Sequence, residues 1–165
     1  MKKNKPIKYL ILLPVILIMV LIFILSSENS EESSRTSGRV VDFVISIINK
    51  DYDNMEENER IEYRDKVSFY VRKIAHFSIF ASLSFFTLLA LFTLIKTYPY
   101  IRLFIMSLSL SSLYAISDEV HQLFSSGRAC EVRDLLIDMS GALFGICVLS
   151  LILLIFKKTR IKKEV

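Results

Sequence analysis

The chain has 165 residues, 53% of them hydrophobic, with a mean hydropathy of +0.47, a formal charge of +4 and a pI near 9.1. That length allows a single domain, and the hydropathy lies well above that of a soluble globular chain. The positive charge does not mark a nucleic-acid partner, because the basic residues gather at the ends of long apolar runs instead of forming a basic face.

A helix needs about 20 mostly apolar residues to cross the hydrocarbon core of a bilayer, and four runs qualify. The first, residues 7–25, is interrupted only by Lys8 and by Pro14, which predicts a mild kink. It is longer than the apolar stretch of a secretory signal, about 7–15 residues, and Leu25-Ser26-Ser27 is a poor small-x-small cleavage site, so the run reads as a retained span. In the loop that follows, 26–73, residues 26–37 are rich in Ser and Glu and predict irregular backbone or a helix cap. Val40, Val41, Val44, Ile45, Ile47 and Ile48 then recur at helical spacing, the pattern of an amphipathic helix lying on the membrane surface. Residues 51–65 are strongly acidic and solvated. From about Ile61 no Pro or Gly separates the chain from the second span, 74–95, so that helix is predicted to project beyond the membrane. Pro99 marks a tight hairpin into the third span, 100–117; a second loop, 118–134, leads to the fourth span, 135–156. Backbone in lipid must satisfy its own hydrogen bonds, so the fold class is all-α. The expected architecture is a polytopic membrane protein, one domain over 1–165, with four transmembrane helices and an outer amphipathic surface helix.

Charge sets the orientation. Lys2, Lys3, Lys5 and Lys8 flank the first span, Lys96 and Arg102 the hairpin, and Lys157, Lys158, Arg160, Lys162 and Lys163 the end of the chain, with Glu164 the lone acid in these segments. Loops 26–73 and 118–134 hold nearly all the other acids. Because Lys and Arg concentrate on the cytoplasmic side, both termini are expected in the cytoplasm.

Helices in lipid associate through small residues. Gly141 and Gly145 form a GxxxG in the fourth span; Ser107, Ser111 and Ala115 line one face of the third, and Ser78 and Ser82 one face of the second. Cys130 lies in a polar loop and Cys147 within a span, so no disulfide is expected.

The chemically dense positions sit at one level, the outer end of spans two, three and four. Arg72 and His76 are four apart at the head of the second span; Asp118, His121 and Gln122 share a face if the third helix continues; Asp134 and Asp138 share the glycine face of the fourth. Ionisable groups in a membrane segment cost roughly 2.5–3.5 kcal/mol each and usually face the bundle interior, so these residues can meet in one water-accessible pocket. Three readings stand side by side. Arg72 and Arg128 could neutralise Asp118, Glu119 and Asp138 in a purely structural network. Close carboxylates with His76 or His121 could carry acid–base chemistry, which makes His76, Asp118, Glu119 and His121 the catalytic candidates. Arg72, Lys73, Arg128 and Arg133 near the headgroup level could hold a phosphate. As ligand-binding residues the sequence offers Arg72, Lys73, His76, Asp118, Glu119, His121, Gln122, Arg128, Asp134 and Asp138. The spacing of two histidines and several carboxylates matches no metal-ligand pattern, no cofactor motif is present, and Ser27, Ser117, Ser125 and Ser126 lie outside any G-x-S-x-G context. Nothing in the sequence fixes an oligomeric state.

Arg72-Lys73-Ile74-Ala75-His76-Phe77 resembles the R-K-x-A-H-F motif of the VanZ-like membrane proteins. Asp118-Glu119-Val120-His121-Gln122-Leu123-Phe124, then Gly127-Arg128, Asp134, Asp138 and the Gly141/Gly145 pair, resembles that family's second signature, and Ser26-Ser27 resembles the start of its first outside loop. Where the family often carries Glu-Tyr, this chain has Ile79-Phe80, which leaves a catalytic reading without that carboxylate. The resemblance implies a bacterial plasma-membrane protein and a link to susceptibility to teicoplanin-type glycopeptides. The expected partners are membrane lipids, including a lipid-linked envelope precursor, held in the polar pocket.

Overall fold

The computed structural model describes residues 7–28, 30–124 and 131–163. A 3-10 segment, Ile7–Leu12, leads into α1 (Leu13–Ser27). After it come α2 (Ser30–Ile48), a 3-10 turn at Tyr52–Asn54, α3 (Glu57–Leu94), α4 (Tyr100–Gln122) and α5 (Val132–Lys163), with no strand among the described residues. Four segments are long and apolar enough to cross a membrane: Lys8–Ser27, Glu57–Leu94, Tyr100–Gln122 and Val132–Lys157. The protein is a four-span membrane bundle with α2 as an additional, amphipathic helix.

Local chemistry explains where these elements start and stop. Pro14 stands in the first turn of α1, where a residue without an N–H costs nothing. The expected kink is therefore a change of helix type, with the 3-10 turn ending just before the proline. Glu57 and Glu59 occupy the first turn of α3, where negative charge meets the positive end of the helix dipole. Pro99 caps α4, its carbonyl accepting the N–H of Arg102 at 2.9 Å. Residues 30–37, expected to be irregular, are helical. Within this stretch Ser37 donates to the Ser33 carbonyl at 2.8 Å and Thr36 to Glu28 at 3.0 Å.

At 38 residues α3 is the longest element, about 57 Å at 1.5 Å per residue, nearly twice the roughly 30 Å of hydrocarbon it crosses. Its lower part is the hub of the bundle, packed against α5, α4 and α1. Ile22, Phe80, Leu83 and Ala115 form one buried cluster, and Leu88, Leu103, Ile146 and Leu149 a second toward the hairpin. The projecting N-terminal part of α3 carries α2: Val41 and Ile45 bury against Val67, and Arg64 pairs with Asp42. The apolar stripe read as wholly membrane-facing is thus divided. Val41 and Ile45 pack on protein, while Val40, Phe43, Ile47 and Ile48 remain exposed and keep the surface-helix pattern.

Small residues set the closest approach. Gly141 and Gly145 are buried, and a Cβ on either would run into the backbone carbonyl of Phe77 or Ala81 on α3. Ser84 donates across the same seam to the Ala142 carbonyl at 2.6 Å, and Ser107 of α4 donates to the Ser84 carbonyl at 3.0 Å. Ser107, Ser111 and Ala115 form the buried face expected of α4. Ser78 and Ser82 do not make a contact face. Both are exposed and return their hydroxyls to their own helix, to the Ile74 and Ser78 carbonyls, a pairing that satisfies them without a neighbour. Cys147 is a free thiol, and Cys130 lies outside the described residues.

Candidate functional site

The polar residues converge where α1 and α4 end and α5 begins, against the middle of α3. α4 stays helical through Gln122, past the end of its apolar run, and this extension buries Asp118, Glu119 and Gln122. Ser26, the penultimate residue of α1, donates to Asp118 Oδ1 at 2.6 Å, and Gln122 Nε2 donates to Asp118 Oδ2 at 2.9 Å. Asp118 is thereby held on both oxygens by groups from two helices. From the opposite side α5 presents Asp138, fully buried, with Oδ1 3.5 Å from Nδ1 of His76 on α3. Ligand atoms of His76, Asp118 and Asp138 all lie within 4.8 Å of one another. Three residues from three different helices share one small volume.

The remaining candidates surround this centre without joining it. Lys73 pairs with Asp134 one turn above, and Arg133 pairs with Glu131 at 2.9 Å. Both cations also lie over the Phe69 ring, 5.0 and 5.1 Å from its centroid, so each already has a carboxylate and an aromatic partner. His121 faces α1: its ring stacks on Phe23 at 4.6 Å between centroids, and Nε2 lies 3.1 Å from Ser27 Oγ. Ser27 also donates to the Phe23 carbonyl at 2.7 Å, so its hydroxyl proton is committed to backbone. Arg128, with its neighbour Gly127, lies outside the described residues.

Beside the cluster runs a groove of about 480 Å³ between α1, α2 and α3. Its walls are mostly apolar, with Leu25 from α1, Val40 and Val44 from α2, and Val71, Ile74 and Ala75 from α3, while Arg72, His76, Glu28 and the α2 residues Ser33, Thr36 and Ser37 supply its polar lining. Among the described residues no carboxylate forms an ion pair with Arg72. His76 belongs to both features and links the groove to the carboxylates.

The VanZ/LLP1 family description matches residues 11–155, a stretch that includes every element of this site. The chain belongs to the VanZ/LLP1 family. No curated protein and no solved structure matches it. In this VanZ/LLP1 protein Ile79, where the family's carboxylate would stand, is half-buried and packs against the cluster of Ile22, Phe80, Leu83 and Ala115, and Phe80 beside it is fully buried.

Two contributors escape sequence reading. Ser26 looks like the first residue of a loop, yet it is the hydrogen-bond donor that fixes Asp118. The groove wall from α2 arises from residues 33–44, half of which read as irregular. The signal for Ser26 was present in its position, since a serine ending one span stands level with an aspartate ending another.

Proposed function

We propose that this VanZ/LLP1 protein binds an anionic lipid, or a lipid-linked envelope precursor, in the bacterial plasma membrane, and that occupancy alters susceptibility to teicoplanin-type glycopeptides. The observation that carries this reading is the union of an apolar groove with Arg72, a cation without a carboxylate partner among the described residues, and His76. An acyl or polyprenyl chain fits walls of Leu, Val, Ile and Ala. A phosphate or carboxylate head fits the guanidinium, which offers a planar set of donors. Exposed Ile74 and Val40 beside the groove favour access from the lipid phase, where exposed apolar side chains carry no penalty.

The charge pattern of the loops supports cytoplasmic termini, an orientation in which the groove lies toward the outer side of the membrane. Reporter fusions test that placement: fusions after Val165 and within the 96–100 hairpin should both report cytoplasm, and an external signal from either overturns the orientation.

Lipid mass spectrometry of the purified protein tests the binding itself. Wild type should carry anionic lipid enriched over the bulk membrane. Arg72→Gln should lower that enrichment about tenfold, since a hydrogen bond to a charged group is worth roughly 1.5–3 kcal/mol, and Ala75→Phe, which fills the groove, should abolish it. Bound lipid that mirrors the bulk membrane in wild type rules the proposal out.

A further inference from the structure

We propose that His76, Asp118 and Asp138 form a binding site for one divalent metal cation. The first ground is the donor set and its closeness. One imidazole and two carboxylates from three different helices place a ligand atom each within 4.8 Å of the others. Ligands at about 2.0–2.2 Å from a shared ion stand roughly 3–4.4 Å apart, so side-chain adjustments of a few tenths of an ångström bring all three into coordination.

The second ground is independent of the clustering. Asp138 is completely buried, and among the described residues neither of its oxygens accepts a hydrogen bond. Native structures rarely leave such a group without a partner, and an ion is one of the recognised reasons when they do. Its near neighbour His76 Nδ1, at 3.5 Å, stands at the separation expected of two adjacent ligands on one ion. Lys73, the cation one turn away, is already engaged by Asp134.

Asp118 supplies the supporting shell. Ser26 and Gln122 each donate to one of its oxygens, and every carboxylate oxygen has a second lone pair left for a metal. Hydrogen bonds of this kind fix the orientation of a ligating carboxylate before the ion arrives. A doubly charged cation also neutralises two buried carboxylates beside the imidazole. One nitrogen and two carboxylates suit Zn²⁺ or Mn²⁺, and three protein ligands leave coordination positions open for water or for an anionic group in the adjoining groove.

The site is tested by metal binding alone, whether or not the groove holds a lipid. The full chain, purified in detergent and stripped with EDTA, is titrated with Zn²⁺ and with Mn²⁺ by calorimetry. One saturable site per chain is expected, with Asp138→Asn, Asp118→Asn and His76→Ala each weakening it at least tenfold, and His121→Ala leaving it unchanged. No saturable site in the wild-type protein overturns the proposal. So does a site that survives all three substitutions, which would place the ion elsewhere, as in the acidic stretch 51–65. Pulsed EPR of Mn²⁺ bound to the wild-type protein reads the ligation without relying on any variant's stability. Coupling to an imidazole nitrogen that persists in His121→Ala supports the assignment, because the chain has only two histidines, and its absence refutes it.

Discussion

Replacing Gly145 with leucine should lower the melting temperature of the detergent-solubilised protein by on the order of 10 °C. Overpacking a filled interior costs typically 1–3 kcal/mol, and a kilocalorie moves the midpoint of a chain of this size by roughly 2–4 °C. The upper end applies here because the obstacle is the Ala81 carbonyl and the Ser84 hydroxyl, which itself bonds across the same seam to Ala142. Backbone cannot rotate aside as a side chain can. The helices must separate, and the α3–α5 seam is the most extensive in the protein. Gly141→Leu meets the Phe77 carbonyl in the same way and should behave alike. Thermal melts followed by size-exclusion fluorescence would decide it: two variants that melt with the wild type would mean the seam tolerates a wider gap.

Loss of function should be complete for the cluster substitutions. On the proposed function, His76→Ala, Asp118→Asn and Asp138→Asn are each expected to return glycopeptide susceptibility to that of cells lacking the protein, while the protein still accumulates in the membrane. Double variants should do no worse than single ones, because groups that act as one unit are lost together. Susceptibility measured alongside membrane abundance separates the outcomes. Full activity in the single variants removes the cluster from function. Failure to accumulate assigns it a structural role instead, consistent with the roughly 2.5–3.5 kcal/mol that an uncompensated ionisable group costs within a span.

The four spans were legible because lipid leaves so little choice: an apolar run of sufficient length must be helical, and its end is marked by charge. The ends of the helices were less so. α4 extends to Gln122, and α5 starts at Val132, because a helix continues on backbone hydrogen bonds after hydropathy falls. Those extra turns are what bury Asp118 and Gln122. Residues 30–37 misled for a related reason. Their Ser and Glu content favours caps and turns in isolation, yet they precede Val41 and Ile45 in one helix that is held by packing against α3. Ser78 and Ser82 had the spacing of a packing face but not its position on α3. His76, Asp118 and Asp138 could be placed at one depth from topology. That their ligand atoms approach within 4.8 Å depends on helix rotation, which the close Gly141 and Gly145 seam sets and no local motif encodes. His121 shows the same limit from the other side: its residue type suggested the cluster, and its angle on α4 turned it to Phe23.

The Ser26–Asp118 hydrogen bond spans 92 positions of chain, and that distance carries a consequence for biogenesis. During synthesis α1 leaves the ribosome long before Asp118 exists, and Ile22 and Ser26 are the residues it buries most fully in the finished protein. Until α4 is made, Ser26 lacks its acceptor. When α4 arrives, Asp118 can be received by Ser26 and Gln122, but Asp138 is still unmade. A nascent chain ending near Phe124 would hold the first half of the polar centre and none of the α5 seam that rotates His76 into place. Completion of the centre thus coincides with insertion of the last helix, so a chain truncated before α5 holds Asp118 but lacks its Asp138 half.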